Sequence, residues 1–317
     1  MYNAKEPLVS VIIPTYRRSD TLLRAINSVY SQTYNNIEII VVDDNASFPE
    51  VRKENERSLL DYPNIIFVKN KINLGGGLSR NVGIRISKGK YVAFLDDDDE
   101  YLPNKIEEQM KLMLEKVNDN VAVVYCYADM INVNGSVYSY INDIQGVPLL
   151  ENIENCLAPT SFWLCDKEKL LSVGGFEDIS SRQDASLLMK LFIKGYSAFR
   201  VPKTLLKYYW HDSNNGISGA SLKSINAENQ YRNTFLKLAK EQKIDSNTID
   251  RAKFLFAFRV ARECVTIGEK NRAFVELKEM SKINLFDKKI FKIFFGIVFN
   301  NTYRFLSKIK NKKRVGI

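Results

Sequence analysis

Apolar and polar positions in the first two-thirds of the chain follow two alternating rhythms. Short, mainly apolar runs rich in β-branched residues occupy positions 8–13, 37–42, 65–68, 91–95 and 121–128, the pattern of strands buried on both faces. Between them apolar residues fall at helical spacing. Leu22, Ile26, Val29 and Tyr30 follow a cap at Ser19 or Asp20, and Ile106, Met110, Met113 and Val117 follow Pro103, which suits the first residue of a helix. Helices over 49–60 and 78–87 complete the alternation. Strand alternating with helix predicts an α/β fold with a doubly wound, mainly parallel sheet.

Further on, the pattern predicts a hairpin turn at Asn134-Gly135, an irregular and mobile stretch over 145–155 and a strand over 161–164. A helix over 167–173 ended by Gly174-Gly175, a helix over 186–193 and two short strands over 198–201 and 205–210 follow. Beyond Ser218 the spacing is helical and no strand is expected. The chain thus divides into an α/β domain over 1–215, its halves meeting near residue 100, and a helical, basic C-terminal region over 216–317.

The candidate chemistry lies where strands end. The run at 91–95 empties into Asp96, Asp97, Asp98 and Asp99, and the run at 37–42 into Asp43-Asp44. In an open α/β sheet ligands bind beyond the carboxyl ends of the strands, so these turns, with the later Asp184, are expected on one edge. Four adjacent carboxylates repel one another unless a cation or hydrogen-bond donors share the load. In an extended turn Asp96 and Asp98 face the same side, and two such oxygens suit Mg²⁺ or Mn²⁺. An EF-hand is excluded because Tyr101 stands where its turn glycine belongs. The glycine-rich loop Asn73-Leu74-Gly75-Gly76-Gly77 has Arg80 at the position of the third dinucleotide-loop glycine, and no Walker motif is present. A serine-type triad is disfavoured by a single histidine, His211. Carboxylates, a metal, a flexible glycine loop and Arg80 suit a pyrophosphate leaving group with a carboxylate base.

Composition narrows the setting. Hydrophobic content of 45% and charged content of 26% suit a folded globular chain. Cys126, Cys156, Cys165 and Cys264 show no Cys-x-x-Cys spacing and are expected as small buried hydrophobes. The start of the chain has no basic segment followed by an apolar one, so a cytoplasmic location is expected. A net charge of +9 calls for anionic partners, and much of it lies after Lys288, interleaved with Phe and Ile. Phe291, Phe294, Phe295, Val298 and Phe299, flanked by Lys288, Lys289 and Lys292, either pack on the catalytic domain or lie on an anionic membrane surface at the inner face of the cell membrane.

Val-Ser-Val-Ile-Ile-Pro-Thr-Tyr (9–16), Val-Val-Asp-Asp (41–44), Asn-x-Gly-x-x-x-x-Arg-Asn-x-Gly (73–83), Phe-Leu-Asp-Asp-Asp-Asp (94–99), Gly-Gly-Phe (174–176) and Arg-Gln-Asp (182–184) together resemble glycosyltransferase family 2, with the GT-A fold. The resemblance covers roughly the first two-thirds of the chain. It implies an inverting, metal-dependent transfer of a sugar from a nucleotide diphosphate donor, a UDP-sugar first, to a hydroxyl of a surface glycan or lipid-linked oligosaccharide. Carried over by residue, Pro14, Thr15 and Tyr16 match the first nucleotide-contacting loop, and Asp44 the carboxylate that accepts from the uracil N–H. Asn73 and Gly75 belong to the donor loop. Arg80 matches a donor-site arginine, with a structural ion pair to the acidic turn as its other role. Asp96 and Asp98 match the Asp-x-Asp motif, with Asp98 the closer to the metal, while Asp97 and Asp99 bind ribose or backbone N–H groups. Asp184 matches the general base, next to Gln183 where relatives carry an acid. His211 in Tyr-Tyr-Trp-His-Asp matches a closing loop that reaches diphosphate or metal, or is a lone imidazole at a strand end. Trp163 and Trp210 either stack on a sugar or belong to the core.

Three other functions compete. A nucleotide-sugar-forming nucleotidyltransferase normally shows a glycine in the loop after the first strand, and residues 14–18 have none. A basic nucleic-acid-binding module lacks a recognisable motif here, so no nucleic-acid partner is expected. An inert scaffold would have no need of the acids.

Overall fold

The computed structural model describes residues 6–210 and 220–299. His211 and the basic residues from Arg304 onward fall outside them. The first half builds β1 (Val9–Thr15), α1 (Ser19–Tyr30), β2 (Ile37–Asp43), α2 (Pro49–Ser58), β3 (Ile65–Lys69), α3 (Gly76–Ile86) and β4 (Tyr91–Phe94). The two-residue β5 (Glu100–Tyr101), α4 (Lys105–Glu115), β6 (Val121–Asn132) and β7 (Val137–Tyr140) come next. Then follow α5 (Leu149–Glu154), β8 (Leu164–Asp166), α6 (Lys167–Ser172), α7 (Gln183–Ile193) and β9 (Ser197–Trp210). Four helices close the described chain: α8 (Leu222–Glu241), α9 (Ser246–Ile267), α10 (Lys270–Ile283) and α11 (Lys288–Val298).

The strands form one sheet in the order β3-β2-β1-β4-β8-β6-β9-β5, with β7 paired to the outer part of β6. β3, β2, β1 and β4 run parallel, as does the β6/β9 pair, and β8 joins the two groups antiparallel to both neighbours. The central runs are buried, with Val9, Val11, Ile12, Ile40, Val42, Val92 and Phe94 at 0% exposure, whereas β3, expected to be buried on both faces, lies at the sheet edge and is half-buried. Helix α3 reaches close contact with β1 because residue 83 is glycine: a Cβ there would lie 2.4 Å from Ile12 Cγ2.

Several expectations change. The cap expected at Ser19 or Asp20 is not made: α1 begins at Ser19 behind Arg18, and no side chain caps its N-terminus. Residues 149–154, read as irregular and mobile, form α5, whose Asn152 and Ile153 are buried; six residues are too few to show a helical period. The strand expected at 161–164 is a 3₁₀ turn over Thr160–Phe162, and pairing begins only at Leu164. The two strands at 198–201 and 205–210 are one, because β6 continues alongside and absorbs Pro202 and Lys203 in a register shift between Val201 and Thr204. The helix after Pro103 starts at Lys105, and the Pro103 carbonyl instead accepts from Thr33 N at 2.8 Å.

Two apolar cores result. One fills the sheet, and the other joins α8, α9 and α10 to Ile153 of α5 and to Ala185, Met189 and Ile193 of α7. The described strands end at Trp210 and the helices after them begin at Leu222, with α7 serving both cores. All four cysteines are free, and three are fully buried: Cys126, Cys165 and Cys264.

Lys105 places an ammonium group in the core of the sheet. Lys105 of α4 is 0% exposed, donates to Gln109 Oε1 at 2.8 Å and sits 3.9 Å from the Tyr101 ring centroid. Burial pulls its pKa from 10.5 down to about 8. The unfolded chain therefore binds this proton more tightly between pH 8 and 10.5, and the residue's penalty on stability, about 3 kcal/mol at neutral pH, is relieved as pH rises through that window. Lys105→Met is expected to stabilise the protein by about 1–3 kcal/mol at pH 7 in urea unfolding, with the difference from the parent shrinking towards pH 10.5. A pH-independent difference would mean that Lys105 does not change its charge on unfolding.

Candidate functional site

Because β1, β2 and β4 run parallel, their carboxyl ends open on one edge of the sheet, bringing the loops after Thr15, Asp43 and Phe94 together. Tyr16 N donates to Asp97 Oδ2 at 3.2 Å, and Thr15, 1% exposed, lies beneath the acidic turn. Arg17 takes a left-handed conformation (φ 59°), held by its N–H to Asn45 Oδ1 at 2.7 Å, and lays its guanidinium 4.7 Å from the Phe48 ring centroid. Tyr16 meets the same ring edge-on at 5.7 Å. The result is an aromatic ledge beside the acidic turn.

The two carboxylates after β2 are internal struts. Asp43 is held by Arg52 (2.6 Å) and by the Asn45 side chain (2.9 Å). Asp44, 2% exposed, accepts from Asn70 Nδ2 (2.8 Å), Asn73 Nδ2 (2.9 Å), Leu74 N (2.8 Å) and Gly75 N (2.8 Å). Four donors fill the positions a carboxylate offers. In this arrangement Asp44 shapes the glycine loop, and it would accept a base N–H only after releasing one of them. Gly75 stands at φ 80° as the cap of α3, and a Cβ on Gly77 would strike the Gln183 side chain at 2.9 Å. That close approach ties the loop to the start of α7.

Each aspartate of the turn after β4 meets a donor from elsewhere in the chain. Asp96 pairs with Arg80 of α3, and its N–H donates to Ser161 Oγ at 3.0 Å. Asp97 takes Tyr16 N and the Arg18 guanidinium (3.2 Å), which also pairs with Asp98. Asp99, 1% exposed, accepts from Tyr209 N at 3.0 Å, and its Oδ2 is buried without a hydrogen bond. Burial first, and Asp98 second, push the Asp97 pKa up to about 7, against Arg18, which lowers it. Burial with Asp96 and Asp98 raises Asp99 well above the usual carboxylate range. Two guanidiniums thus do not balance four carboxylates. Oxygen-only donors, excess negative charge and an orphaned buried carboxylate oxygen all fit a hard divalent cation. Asp96 and Asp98 are the residues that would hold it. Among the described residues no ready-made group of three ligating side chains exists.

A cavity of about 190 Å³ runs from this turn to the start of α7, lined by Arg80, Asp96, Pro159, Thr160, Asp184 and Tyr208 among others. Asp184 lies in the first turn of α7, its Oδ1 accepting from Ala185 N at 2.8 Å. The Cys156 thiol, pushed well above its usual pKa by burial first and by Asp184 second, rests against it. Tyr208 is kept protonated by burial and by the combined charge of Asp99, Asp96, Asp98 and Asp184. The structure therefore brings Arg80, Asp96 and Asp184 to one cavity, sets Tyr16, Asp97 and Asp98 in the neighbouring turns with Pro14 and Thr15 at the end of β1, and leaves Asp44 bound by Asn73 and Gly75 of the glycine loop and off the cavity wall. Trp163 is fully buried, stacked at 6.4 Å on Phe176. Sequence reasoning missed Arg18, Tyr208 and Ser161 as site neighbours. Arg18, directly after the first strand's turn, was legible as a cation near the acids, but nothing local marks Tyr208 or Ser161.

This edge, with its acidic turn and glycine loop at the carboxyl ends of parallel strands, defines an α/β protein with its candidate ligand site at that edge. A family model for glycosyl transferase family 2 matches residues 10–174. The chain is 31% identical over 303 residues to an "Uncharacterized glycosyltransferase" of Rickettsia bellii, covering 90% of this chain and 41% of that protein's length. It is 36% identical over 133 residues to the Escherichia coli K12 "Putative colanic acid biosynthesis glycosyl transferase WcaA", covering 42% of this chain and 46% of that one. In fold it is similar to S. aureus TarS, with a TM-score of 0.59 at 17% identity over 94% of this chain and 54% of the other. The chain belongs to glycosyl transferase family 2, and its fold is of the GT-A type with a C-terminal helical region.

The loop makes a test of base recognition. If Asp44 takes the uracil N–H, addition of UDP with Mn²⁺ should speed hydrogen exchange at the Leu74 or Gly75 amide, because a donor has to leave the carboxylate. Unchanged or greater protection at both, with the side-chain amide signals of Asn70 and Asn73 also unmoved, would assign the base to the ledge of Tyr16 and Phe48.

Proposed function

We propose that the chain transfers a sugar from a nucleoside diphosphate donor, a UDP-sugar first, to a hydroxyl of a surface glycan or lipid-linked oligosaccharide, with inversion at the anomeric carbon. The observation that carries this reading is the single cavity joining Arg80 and Asp96 to Asp184. A displacement with inversion needs a leaving-group site and a base on opposite sides of the reacting carbon. The acidic turn and glycine loop suit the diphosphate side, and Asp184 suits the other. The Asp184 carboxylate would take the acceptor's hydroxyl proton as that oxygen attacks, while the bond to the β-phosphate oxygen breaks and its electrons leave with the diphosphate. Arg80 and Arg18 can turn from the acids to phosphate oxygens, and Tyr208 has a hydroxyl to donate. A bound Mg²⁺ or Mn²⁺ would neutralise charge on the leaving diphosphate. The donor is found by screening UDP-, dTDP- and GDP-sugars with Mn²⁺ for thermal stabilisation and turnover.

The C-terminal region supports a place on an anionic lipid surface. Helix α11 carries two apolar faces. Ile290 and Ile293 are buried towards the other helices, while Phe291 (60%), Phe294 (51%), Phe295 (61%) and Phe286 (85%) stand exposed. The inward packing expected as the alternative is thus made by the isoleucines and not by these phenylalanines. Lys289, expected to reach headgroups, instead pairs with Glu154 of α5 at 2.8 Å, because its position on α11 faces the domain. No helix of the described residues is long and apolar enough to cross a membrane. Exposed aromatics beside a basic segment fit shallow insertion, and each Lys or Arg near such a surface adds about 1 kcal/mol.

Asp98→Asn is expected to weaken UDP-sugar binding and turnover together, and excess EDTA should act likewise. Full turnover in EDTA would remove the metal from the reading. Asp184→Asn should bind UDP normally while turnover falls by about 10² or more; a parental rate would place the base elsewhere, with Glu177 and Asp178 next to be tested. Since α11 covers α9, the membrane test uses substitution: Phe291→Ser with Phe294→Ser and Phe295→Ser should abolish salt-sensitive co-sedimentation with phosphatidylglycerol vesicles and leave UDP binding intact. Undiminished sedimentation, or none by the parent, would discard the membrane surface, and a parent dimer lost on substitution would assign the face to a second copy.

A further inference from the structure

The segment that carries Asp184 is fastened from outside the α/β domain. Arg182 takes the left-handed conformation (φ 65°, ψ 20°), which a residue with a side chain holds only when its surroundings enforce it. Its guanidinium donates to Glu228 of α8 through Nε and to Glu263 of α9 through Nη2 at 2.8 Å. Both glutamates are buried, at 0% and 6% exposure. Glu228 also receives the Arg259 fork, Nη2 to Oε1 at 2.7 Å and Nε to Oε2 at 3.0 Å, and Arg259 Nη1 donates to the Ile153 and Glu154 carbonyls. Glu263 also accepts from Ser224 Oγ, and Ser224 lines the cavity. On the other side of Asp184, the Ala185 carbonyl takes Asn152 Nδ2 at 2.9 Å and Tyr231 Oη at 3.2 Å.

We infer that Glu228 and Glu263, held by Arg259 and Ser224, are positioning residues for the reaction: through Arg182 they set the place of the Asp184 carboxylate, so the C-terminal helices are part of the transfer machinery. The inference rests on Asp184 being the base. Two guanidiniums and two carboxylates sum to zero charge, so the network supplies geometry more than field. Stability alone does not account for it, since a buried ion network is on balance no more stabilising than well-packed apolar side chains of the same volume. Its bonds converge on Arg182, two residues from the base, in a backbone conformation that would otherwise relax. A misplacement on the order of 1 Å in such a group lowers turnover by about 10².

The test compares Glu263→Gln, Arg182→Lys and Asp184→Asn in the full chain. Glu263→Gln keeps shape and removes the charge, and Arg182→Lys keeps charge and removes the fork. Three readouts are taken: UDP binding with Mn²⁺, steady-state turnover of the donor found by the screen, and hydrogen exchange at the Ala185 amide, which bonds the Asp184 carboxylate. Expected for both network variants is unchanged UDP affinity and donor KM, turnover lower by about tenfold or more, and faster exchange at Ala185 with β1 and β4 unaltered. Parental turnover in both, with Asp184→Asn inactive, would overturn the positioning role and leave the base standing. So would loss of melting temperature and UDP binding in step with turnover. If Asp184→Asn itself turns over at the parental rate, the base assignment fails, and the Ala185 amide alone decides whether the frame holds this segment: unaltered exchange in both network variants sinks it.

Discussion

The structure is arranged around four carboxylates at the end of one buried strand. Repulsion among Asp96, Asp97, Asp98 and Asp99 makes that turn unstable by itself, and each stabilising donor comes from a distant part of the chain. Arg18 and the Tyr16 N–H arrive with the loop after β1, Arg80 with α3 and the Tyr209 N–H with β9, while Ser161 in the turn before β8 accepts from the Asp96 N–H. Even so, compensation is incomplete, as the raised pKa of Asp97 and the unbonded Asp99 oxygen record. A turn left short of positive charge suits the divalent cation and diphosphate of the proposed reaction.

The second constraint is that α7 belongs to two cores. Its apolar residues are divided between the sheet, through Leu187, Leu188 and Leu191, and the helical cluster, through Ala185, Met189 and Ile193. Its first turn lies on the cavity, and Gln183 there packs against Gly77 of the donor loop. Rigid packing on both sides lets one short helix relate the donor loop, the candidate base and the C-terminal region. The same construction explains why the helical region carries no family motif yet contributes Ser224 to the cavity wall.

What the chain's sequence determined by itself is local and repetitive. Strands buried on both faces must be continuous apolar runs, helices between them must show a stripe, and the alternation leaves little choice but a mainly parallel sheet with its ligand edge at the carboxyl ends. Hence β1 to β4, the acidic turns and the glycine loop were legible as elements, and Asp96 and Asp184 as neighbours across an edge. Tertiary structure alone decided what has no period. Helix α5 is too short to register, β9 passes a proline because β6 runs beside it, and Asp44 is fully engaged because four residues after β3, Asn70, Asn73, Leu74 and Gly75, fold onto it. The Arg182, Glu228, Arg259 and Glu263 network was invisible for the same reason: charged residues on helices read as solvated faces, and only the packing of α8 and α9 against α7 turns these inward, where burial obliges them to find one another.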